Sequence, residues 1–137
     1  MLIYVFIKMN QFKHIEEQLH QLQLSTAEKA FLDDVRTYIL SNMAEGHLSV
    51  ESVAEGLFIH ESKLRRRIAQ STGLTPRMFL AVVRMERACE FLTTYPAMTI
   101  EQIAYECGFA DHSHFTHSFR RLFGMSPTSY ARQLSAS

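Results

Sequence analysis

Two short stretches of the sequence carry polar side chains at helical spacing, and these side chains are suited to specific hydrogen bonding. In the first stretch, positions i, i+3, i+4 and i+7 of one predicted helix face are Ser62, Arg65, Arg66 and Ala69. The second stretch carries Ser113, Thr116, His117 and Arg120 on a corresponding face. A guanidinium group can donate two parallel hydrogen bonds to one acceptor edge, so the first stretch has the stronger chemistry.

Both stretches belong to a unit that occurs twice in the chain. Residues 49–79 align with residues 99–130, at an offset of 50 positions as far as Ile59 and of 51 positions beyond it. The aligned pairs include Val53 with Ile103, Ala54 with Ala104, Ile68 with Phe119 and Gly73 with Gly124. A helical repeat of this size implies two equivalent sites that face one extended partner.

Helix start and stop signals predict an all-α chain of seven helices with no strand. In each repeat a capping residue begins a short helix, a tight turn follows, and a glycine ends a second helix. The capping residues are Ser49 and Thr99, and the glycines are Gly73 and Gly124. The repeats are therefore predicted to be helix-turn-helix units, at about 48–74 and about 99–124.

A long linker helix is predicted between the two units. Thr75 and Pro76 supply a cap and a first-turn proline, and Pro96 stops the helix near Thr94. Such a helix, over about 76–94, would be about 28 Å long at the usual rise. The units and the linker form one domain over residues 25–137, and residues 1–24 form a tail or a short linker helix.

The second helix of each unit is predicted to bury one face and expose the other. Leu64 and Ile68 lie on the core side in the first unit, and Phe115 and Phe119 lie on the core side in the second. The opposite faces are polar or cationic, with few acids. A short helix, a tight turn and a second helix with such a face make up the motif whose second helix enters the major groove of DNA.

A long run of spaced residues in the second repeat matches a known family pattern. These residues are Ile100, Ile103, Ala104, Tyr105, Glu106, Cys107, Gly108, Phe109, Ser113, His114, Phe115, Phe119, Arg120, Arg121, Phe123, Gly124, Ser126, Pro127 and Tyr130. They resemble the signature of the AraC/XylS transcription regulators, and the resemblance covers about residues 27–132. It implies a bipartite DNA-binding domain in which two homeodomain-like units, joined by a rigid linker helix, read successive major grooves of double-stranded DNA.

The resemblance also implies which side chains contact DNA. Base readers would be Ser62, Arg65 and Arg66 in the first unit, and His112, Ser113, Thr116 and His117 in the second. Phosphate contacts would come from Lys63, Arg77, Arg120 and Arg121. An arginine that bonds the O6 and N7 of guanine contributes about 1–3 kcal/mol of base discrimination. The shorter readers of the second unit are expected to depend more on phosphates and groove shape.

The first unit departs from the family pattern around its turn. Phe58 stands where glycine is usual, and His60 stands where a serine or another small cap is usual. We therefore expect a wider turn or a less well capped second helix. Arg67 occupies a position that is often apolar in the family, and in this respect the chain is similar to the output domains of hybrid two-component sensor kinases.

The cysteine content favours a cytoplasmic protein, and the charge is distributed unevenly along the chain. Residues 1–60 carry 4 basic and 8 acidic side chains, whereas residues 61–137 carry 10 basic and 6 acidic, so the positive charge lies in the repeats. Cys89 and Cys107 have no CxxC spacing and are expected to be buried, which supports neither a disulfide framework nor a structural zinc site. The apolar stretch of residues 2–7 is too short to be a membrane anchor.

No cofactor, metal ion or catalytic activity is predicted. The sequence has no glycine-rich phosphate loop and no nucleophile elbow, and Glu86 and Glu90 are expected to form a surface pair on the linker helix. His112 and His114 lie about 200° apart on a helix, so they cannot bind one ion without a partner helix.

The N-terminal segment and the protein partners leave alternatives open. Phe12, Ile15, Leu19 and Leu22 have a spacing that suits a short parallel coiled coil and hence a homodimer. A helix folded back on the domain, a frayed tail, or a dimer through an upstream domain are the alternatives. The family resemblance adds RNA polymerase to the expected partners. No membrane partner is predicted. The rival function is a helical protein-interaction or output module with little DNA selectivity.

Overall fold

The computed structural model describes residues 26–46 and 48–136, and this part of the chain is helical without a strand. The elements are α1 (Thr26–Asn42), a 3₁₀-helix (Met43–Glu45), α2 (Val50–Gly56), α3 (Glu61–Thr72), α4 (Pro76–Thr94), α5 (Ile100–Glu106), α6 (His112–Phe123) and α7 (Pro127–Ala136). The predicted all-α class with seven α-helices is confirmed for the described residues. Within them, no helix has both the length and the apolar composition needed to cross a membrane. Residues 1–24, including the candidate coiled-coil positions, lie outside this description.

Local capping starts the first helix of each unit at an equivalent place. Ser49 Oγ and Thr99 Oγ1 each accept a hydrogen bond from the backbone N–H three residues on, at 3.1 Å in both cases. The side chains of Ser52 and Gln102 accept a bond from the cap backbone in return, which completes a capping box in each unit. These predicted caps are confirmed.

The linker helix α4 is the shared core of both units. It starts at Pro76, after Thr75 Oγ1 has accepted a hydrogen bond from the N–H of Met78 at 3.1 Å, and it ends at the predicted Thr94. It packs against α1, α2 and α3 of the first unit and against α5 and α7 of the second. Ten of its 19 residues are buried, so α4 is part of the core of both units.

The two units bury different kinds of side chain. The first core is aliphatic and consists mainly of Val35, Ile39, Val53, Leu64 and Ile68. The second core is aromatic and consists mainly of Phe109, Phe115, Phe119, Phe123 and Tyr130. Burying each such side chain stabilises the fold by about 1.5–3 kcal/mol, and each well-oriented aromatic pair adds about 0.5–1.5 kcal/mol.

A buried ion pair between α1 and α4 shows that the expectation for Glu86 is wrong. Glu86 is 1% exposed and pairs with Arg36 of α1, whereas Glu90 pairs on the surface with Arg87 at 3.4 Å. Burial lowers the pKa of Arg36. Removing one partner of such a pair leaves an unpaired buried charge and costs about 3–5 kcal/mol. The pair therefore fixes α1 against the linker helix.

Both cysteines are buried free thiols, as expected. Burial raises the pKa of the Cys89 and Cys107 thiols to about 12. Both are protonated near neutral pH and act as small apolar side chains in the core.

Candidate nucleic-acid interface

The turn of the first unit is not wider than the turn of the second, contrary to expectation. The N–H of Ile59 donates to Ala54 O at 3.1 Å, and the N–H of Phe109 donates to Ala104 O at 3.0 Å. Phe58 itself adopts the left-handed conformation, with φ 58°, that Gly108 adopts in the second turn. The Phe58 side chain is 94% exposed, so burial of the ring does not offset the strain of this backbone conformation.

His60 caps α3, the second helix of the first unit. Its Nδ1 accepts a hydrogen bond from the N–H of Ser62 at 3.2 Å, so the expected capping defect is also wrong. The same Nδ1 lies 2.8 Å from Ser62 Oγ. Because an imidazole nitrogen can replace a small oxygen cap here, α3 begins directly after His60, at Glu61. The Ser62 hydroxyl must leave this contact before it can donate to another group.

The predicted base readers of the first unit lie on the exposed side of α3. Ser62, Lys63, Arg65 and Arg66 are exposed, whereas Leu64 and Ile68 are buried. Arg65 pairs with Glu61 at 2.9 Å on the surface, where such a pair contributes less than about 1 kcal/mol. Arg66 makes no ion pair or hydrogen bond with any described residue. Both guanidinium groups are therefore available to an incoming acceptor.

Arg67 belongs to the fold and not to this exposed stripe. Its guanidinium carbon lies 3.8 Å from the centroid of the Phe31 ring on α1. A cation over an aromatic face contributes about 0.5–1 kcal/mol at an exposed site and more where water is excluded. The basic residue that departs from the usual family pattern thus ties α3 to α1.

The predicted readers of the second unit are exposed on α6, with one partial exception. His112, Ser113, His117, Arg120 and Arg121 are exposed, and Asp111 caps the helix by accepting from the N–H of His114 at 2.7 Å. Thr116 is half-buried, and its Oγ1 is enclosed without a hydrogen-bond partner in the described structure. A base contact from this hydroxyl requires another χ1 rotamer. Arg77, the remaining predicted phosphate contact, is exposed in the first turn of α4.

Sequence reasoning missed a groove along the outer face of α5. This open groove of about 340 Å³ is lined by Met98, Glu101, Gln102, Tyr105 and Glu106. Tyr105 is 67% exposed there. The signal in the sequence was an aromatic residue four positions after Glu101, on the polar side of a short helix.

In the first unit, α1 covers the position of α2 that corresponds to Glu106. A Cβ at Gly56 of α2 would overlap the ring of Tyr38. At an offset of 50 residues, Tyr38 and Gly56 correspond to Ala88 and Glu106 in the second unit. Ala88 is buried and Glu106 is exposed. Tyr38 thus covers Gly56 in the first unit, whereas a small buried side chain and an exposed charged one stand at the corresponding positions of the second unit.

Comparison with known proteins identifies this arrangement. A family model described as a helix-turn-helix domain matches residues 53–133, which is more than half of the chain. The chain belongs to the AraC/XylS family. Its AraC/XylS relatives include the HTH-type transcriptional activator RhaS of Salmonella arizonae, which is 35% identical over 103 residues. The match covers 75% of this chain and 36% of RhaS, so the chain spans about a third of the length of that relative.

Solved AraC/XylS structures share the fold. The C-terminal domain of AraT, a response regulator from Geobacillus stearothermophilus, has 32% sequence identity and a TM-score of 0.67, over 74% of this chain and 84% of that one. The DNA-binding domain of AdpA, a global transcriptional factor solved in complex with a target DNA, has 28% identity and the same TM-score of 0.67. That match covers 77% of this chain and 93% of the AdpA domain.

Proposed function

We propose that this AraC/XylS domain is a sequence-specific transcription regulator that inserts α3 and α6 into two successive major grooves of one DNA duplex. The observation that carries the proposal is the repeated exposure of a polar or cationic stripe on the second helix of each unit. The stripes consist of Ser62, Arg65 and Arg66 on α3, and of His112, Ser113 and His117 on α6. The AdpA domain, which has the same fold, was solved with DNA. The proposed site of action is the cytoplasm, and no catalytic step is proposed.

Base discrimination comes chiefly from the first unit. Arg65 and Arg66 are long, exposed and permanently charged, and each can bond the O6 and N7 of one guanine. Arg65 must exchange Glu61 for the base, and this exchange is favourable because the surface ion pair contributes little. Ser62 contributes a bond to a base or a phosphate once its hydroxyl leaves His60.

The second unit contributes register and phosphate contacts more than base readout. Ser113, Thr116 and His117 are short, and the enclosed Thr116 hydroxyl reaches a base only after a rotamer change. Arg120 and Arg121 lie in the last turn of α6, and with Lys63 and Arg77 they are proposed to contact phosphates. Each phosphate neutralised adds about −0.9 to the slope of log affinity against log salt.

Selection from a library of random duplexes, followed by affinity measurements over a range of salt, tests the function. We expect one enriched site with two conserved segments, bound far more tightly than scrambled DNA. Arg66→Ala is expected to relax the base preference at one position of the first segment. Arg121→Ala is expected to weaken binding to all duplexes alike and to flatten the salt slope. A library that yields no enriched site, with affinity independent of salt, would favour the helical protein-interaction module instead.

The groove on α5 supports RNA polymerase as a protein partner. Its aromatic and acidic lining fits a basic segment with apolar side chains. We propose that such a segment of the polymerase binds there. Tyr105→Ala is expected to lower transcription from a promoter that carries the selected site without changing DNA affinity. Tyr95→Ala is the control, because Tyr95 is 53% exposed and outside the groove lining. Equal effects of the two substitutions would refute the assignment.

A homodimer formed through the N-terminal segment, or through an upstream domain, remains a separate proposal. Its candidate contacts, Phe12, Ile15, Leu19 and Leu22, lie outside the described residues and rest on sequence spacing. Sedimentation equilibrium of the chain, compared with a form that begins at residue 25, tests it. A monomer in both cases would contradict the coiled-coil interpretation.

A further inference from the structure

One side chain of the linker helix contacts both helix-turn-helix units. Arg84 on α4 donates a hydrogen bond from Nη2 to the carbonyl oxygen of Leu48 at 3.3 Å. Its guanidinium carbon also lies 5.6 Å from the centroid of the Phe109 ring. Leu48 immediately precedes the cap of α2 in the first unit, and Phe109 immediately follows the left-handed residue of the second turn. Arg84 therefore ties the start of one unit to the turn of the other.

A close backbone contact lies beside this side chain. Gly108 has φ 85°, and a Cβ there would overlap the carbonyl oxygen of Met43 in the 3₁₀-helix and lie 3.6 Å from Arg84 Nη2. The backbone of the second turn thus lies closer to Met43 than a residue with a side chain at position 108 would allow. We call the group of Met43, Leu48, Arg84, Gly108 and Phe109 the junction.

The first-unit side of the junction is itself held firmly. The buried pair of Arg36 and Glu86 fixes α1 to α4, and the Tyr38 ring fills the space over Gly56 of α2. Met43 continues directly from α1, so it cannot move far without disturbing these contacts. The first-unit side of the junction is therefore fixed to the linker helix.

We propose that the junction sets the number of base pairs between the two DNA segments that the domain accepts, with Arg84 as the main positioning residue. This inference rests on the proposed function, since spacing has meaning only when α3 and α6 read one duplex. Inserting one base pair moves the second segment by about 3.4 Å along the DNA axis and rotates it by about 35°. A domain with a fixed angle between its units cannot follow that movement.

Arg84 suits this role because its guanidinium group is enclosed where the two units meet and contacts both of them. It is half-buried, and its Nε is enclosed without a hydrogen-bond partner in the described structure. Burial lowers the pKa of its guanidinium group. The planar group can face the Phe109 ring while it donates to Leu48, whereas a lysine ammonium is a compact charge that cannot do both equally well. Loss of the guanidinium should therefore loosen the angle between the units.

The test uses the full chain and the selected duplex, together with duplexes that have one base pair inserted or removed between the two conserved segments. The variants are Arg84→Met, which keeps much of the side-chain volume, and Arg84→Lys, which keeps the charge. Arg87→Met is the matched control, because Arg87 pairs with Glu90 of its own helix. Affinity is measured for each protein on all three duplexes, and thermal melting confirms that each protein is folded.

The parent is expected to bind the altered duplexes about 10- to 100-fold more weakly than the selected one, which corresponds to the loss of one or two base contacts. For both Arg84 variants this spacing penalty is expected to fall below about 5-fold, while Arg87→Met keeps the parent's penalty. If Arg84→Met fails to fold, Arg84→Lys carries the test.

An unchanged penalty in the folded Arg84 variants would overturn the role of the junction and leave the proposed function intact. An equal loss of the penalty in Arg87→Met would overturn the specific role of Arg84. A parent that binds all three duplexes equally would also overturn the role of the junction, whereas a parent that selects no site with two conserved segments would refute the proposed function itself.

Discussion

The two helix-turn-helix turns share their hydrogen bonds and differ in their surroundings. Phe58 in the first turn and Gly108 in the second both have positive φ, of 58° and 85°. Phe58 is 94% exposed, whereas Gly108 lies so close to Met43 that no side chain fits. The same backbone turn is therefore open to solvent in one unit and closed by tertiary contact in the other.

The second helices of the two units, α3 and α6, also differ in their exposed side chains and in the cores beneath them. The open first unit exposes Arg65 and Arg66, which are long and cationic, above an aliphatic core. The closed second unit exposes shorter readers above an aromatic core that is joined to the linker helix. We infer a division of roles, in which the first unit discriminates bases and the second fixes the position of the domain on the duplex.

The largest expected effect is a difference in alkylation rate between a thiol in the closed turn and a thiol in the open turn. Cys107 is the C-cap of α5 and is buried, and its equivalent in the first unit is the half-buried Leu57. The test compares two proteins that both carry Cys89→Ala: one keeps Cys107, and the other carries Cys107→Ala and Leu57→Cys. At pH 8 the alkylation of Cys107 should be about 1,000-fold slower than that of the cysteine at position 57, because the pKa of Cys107 is raised to about 12. A raised pKa keeps most of the protons on sulfur, so the rate rises with the thiolate fraction as pH increases toward 12. Similar rates would mean that the second turn is open.

The second prediction concerns stability. Gly108→Ala should lower the free energy of unfolding by about 3 kcal/mol, because left-handed strain adds to the overlap with Met43. Gly124→Ala is the matched control, since Gly124 has φ 76° but nothing within 4 Å of an added Cβ. It should cost only the strain, about 1–2 kcal/mol. Denaturant unfolding measures both, and equal losses would remove the contrast.

The third prediction compares the two reading helices. Arg66→Ala should weaken binding to the selected duplex by about 1–3 kcal/mol and relax one base position, whereas His117→Ala should cost about 0.5–1.5 kcal/mol. Arg67→Ala is the control within α3, because its guanidinium lies on Phe31 and should affect stability and not base preference. A larger loss for His117→Ala than for Arg66→Ala would reverse the division of roles.

The smallest expected effect is a gain of stability in the open turn. Phe58→Gly relieves about 1–2 kcal/mol of strain and loses about 0.4–1 kcal/mol through the greater entropy of the unfolded chain, for a net gain of about 0.5–1 kcal/mol. Phe58→Ala keeps the Cβ and should gain nothing. A destabilised Phe58→Gly protein would mean that the phenylalanine ring makes a stabilising contact.

The sequence predicted the features that depend on neighbouring residues. The caps at Ser49 and Thr99, the end of α3 before Gly73 and the bounds of α4 follow from local hydrogen bonding, and all are confirmed. The exposed and buried faces of α3 likewise followed from helical spacing, because a period of about 3.6 residues separates the two faces.

Features that depend on distant residues could not be predicted in this way. Glu86 was expected on the surface because its partner, Arg36, lies on another helix. The His60 cap was missed because an imidazole acceptor is unusual at a position where small oxygen side chains dominate. The contacts of Arg84 with Leu48 and Phe109 depend on how the two units pack across α4, which no local pattern encodes.

Methylation protection of guanine N7 on the selected duplex tests simultaneous groove reading most directly. The account predicts two clusters of protected guanines, one for each unit, separated by about one helical turn of 10–10.5 base pairs. Arg66→Ala should remove protection at one guanine of the first cluster and leave the second cluster intact. A single protected cluster that is lost as a whole in both Arg66→Ala and His117→Ala would contradict the claim that two units read one duplex.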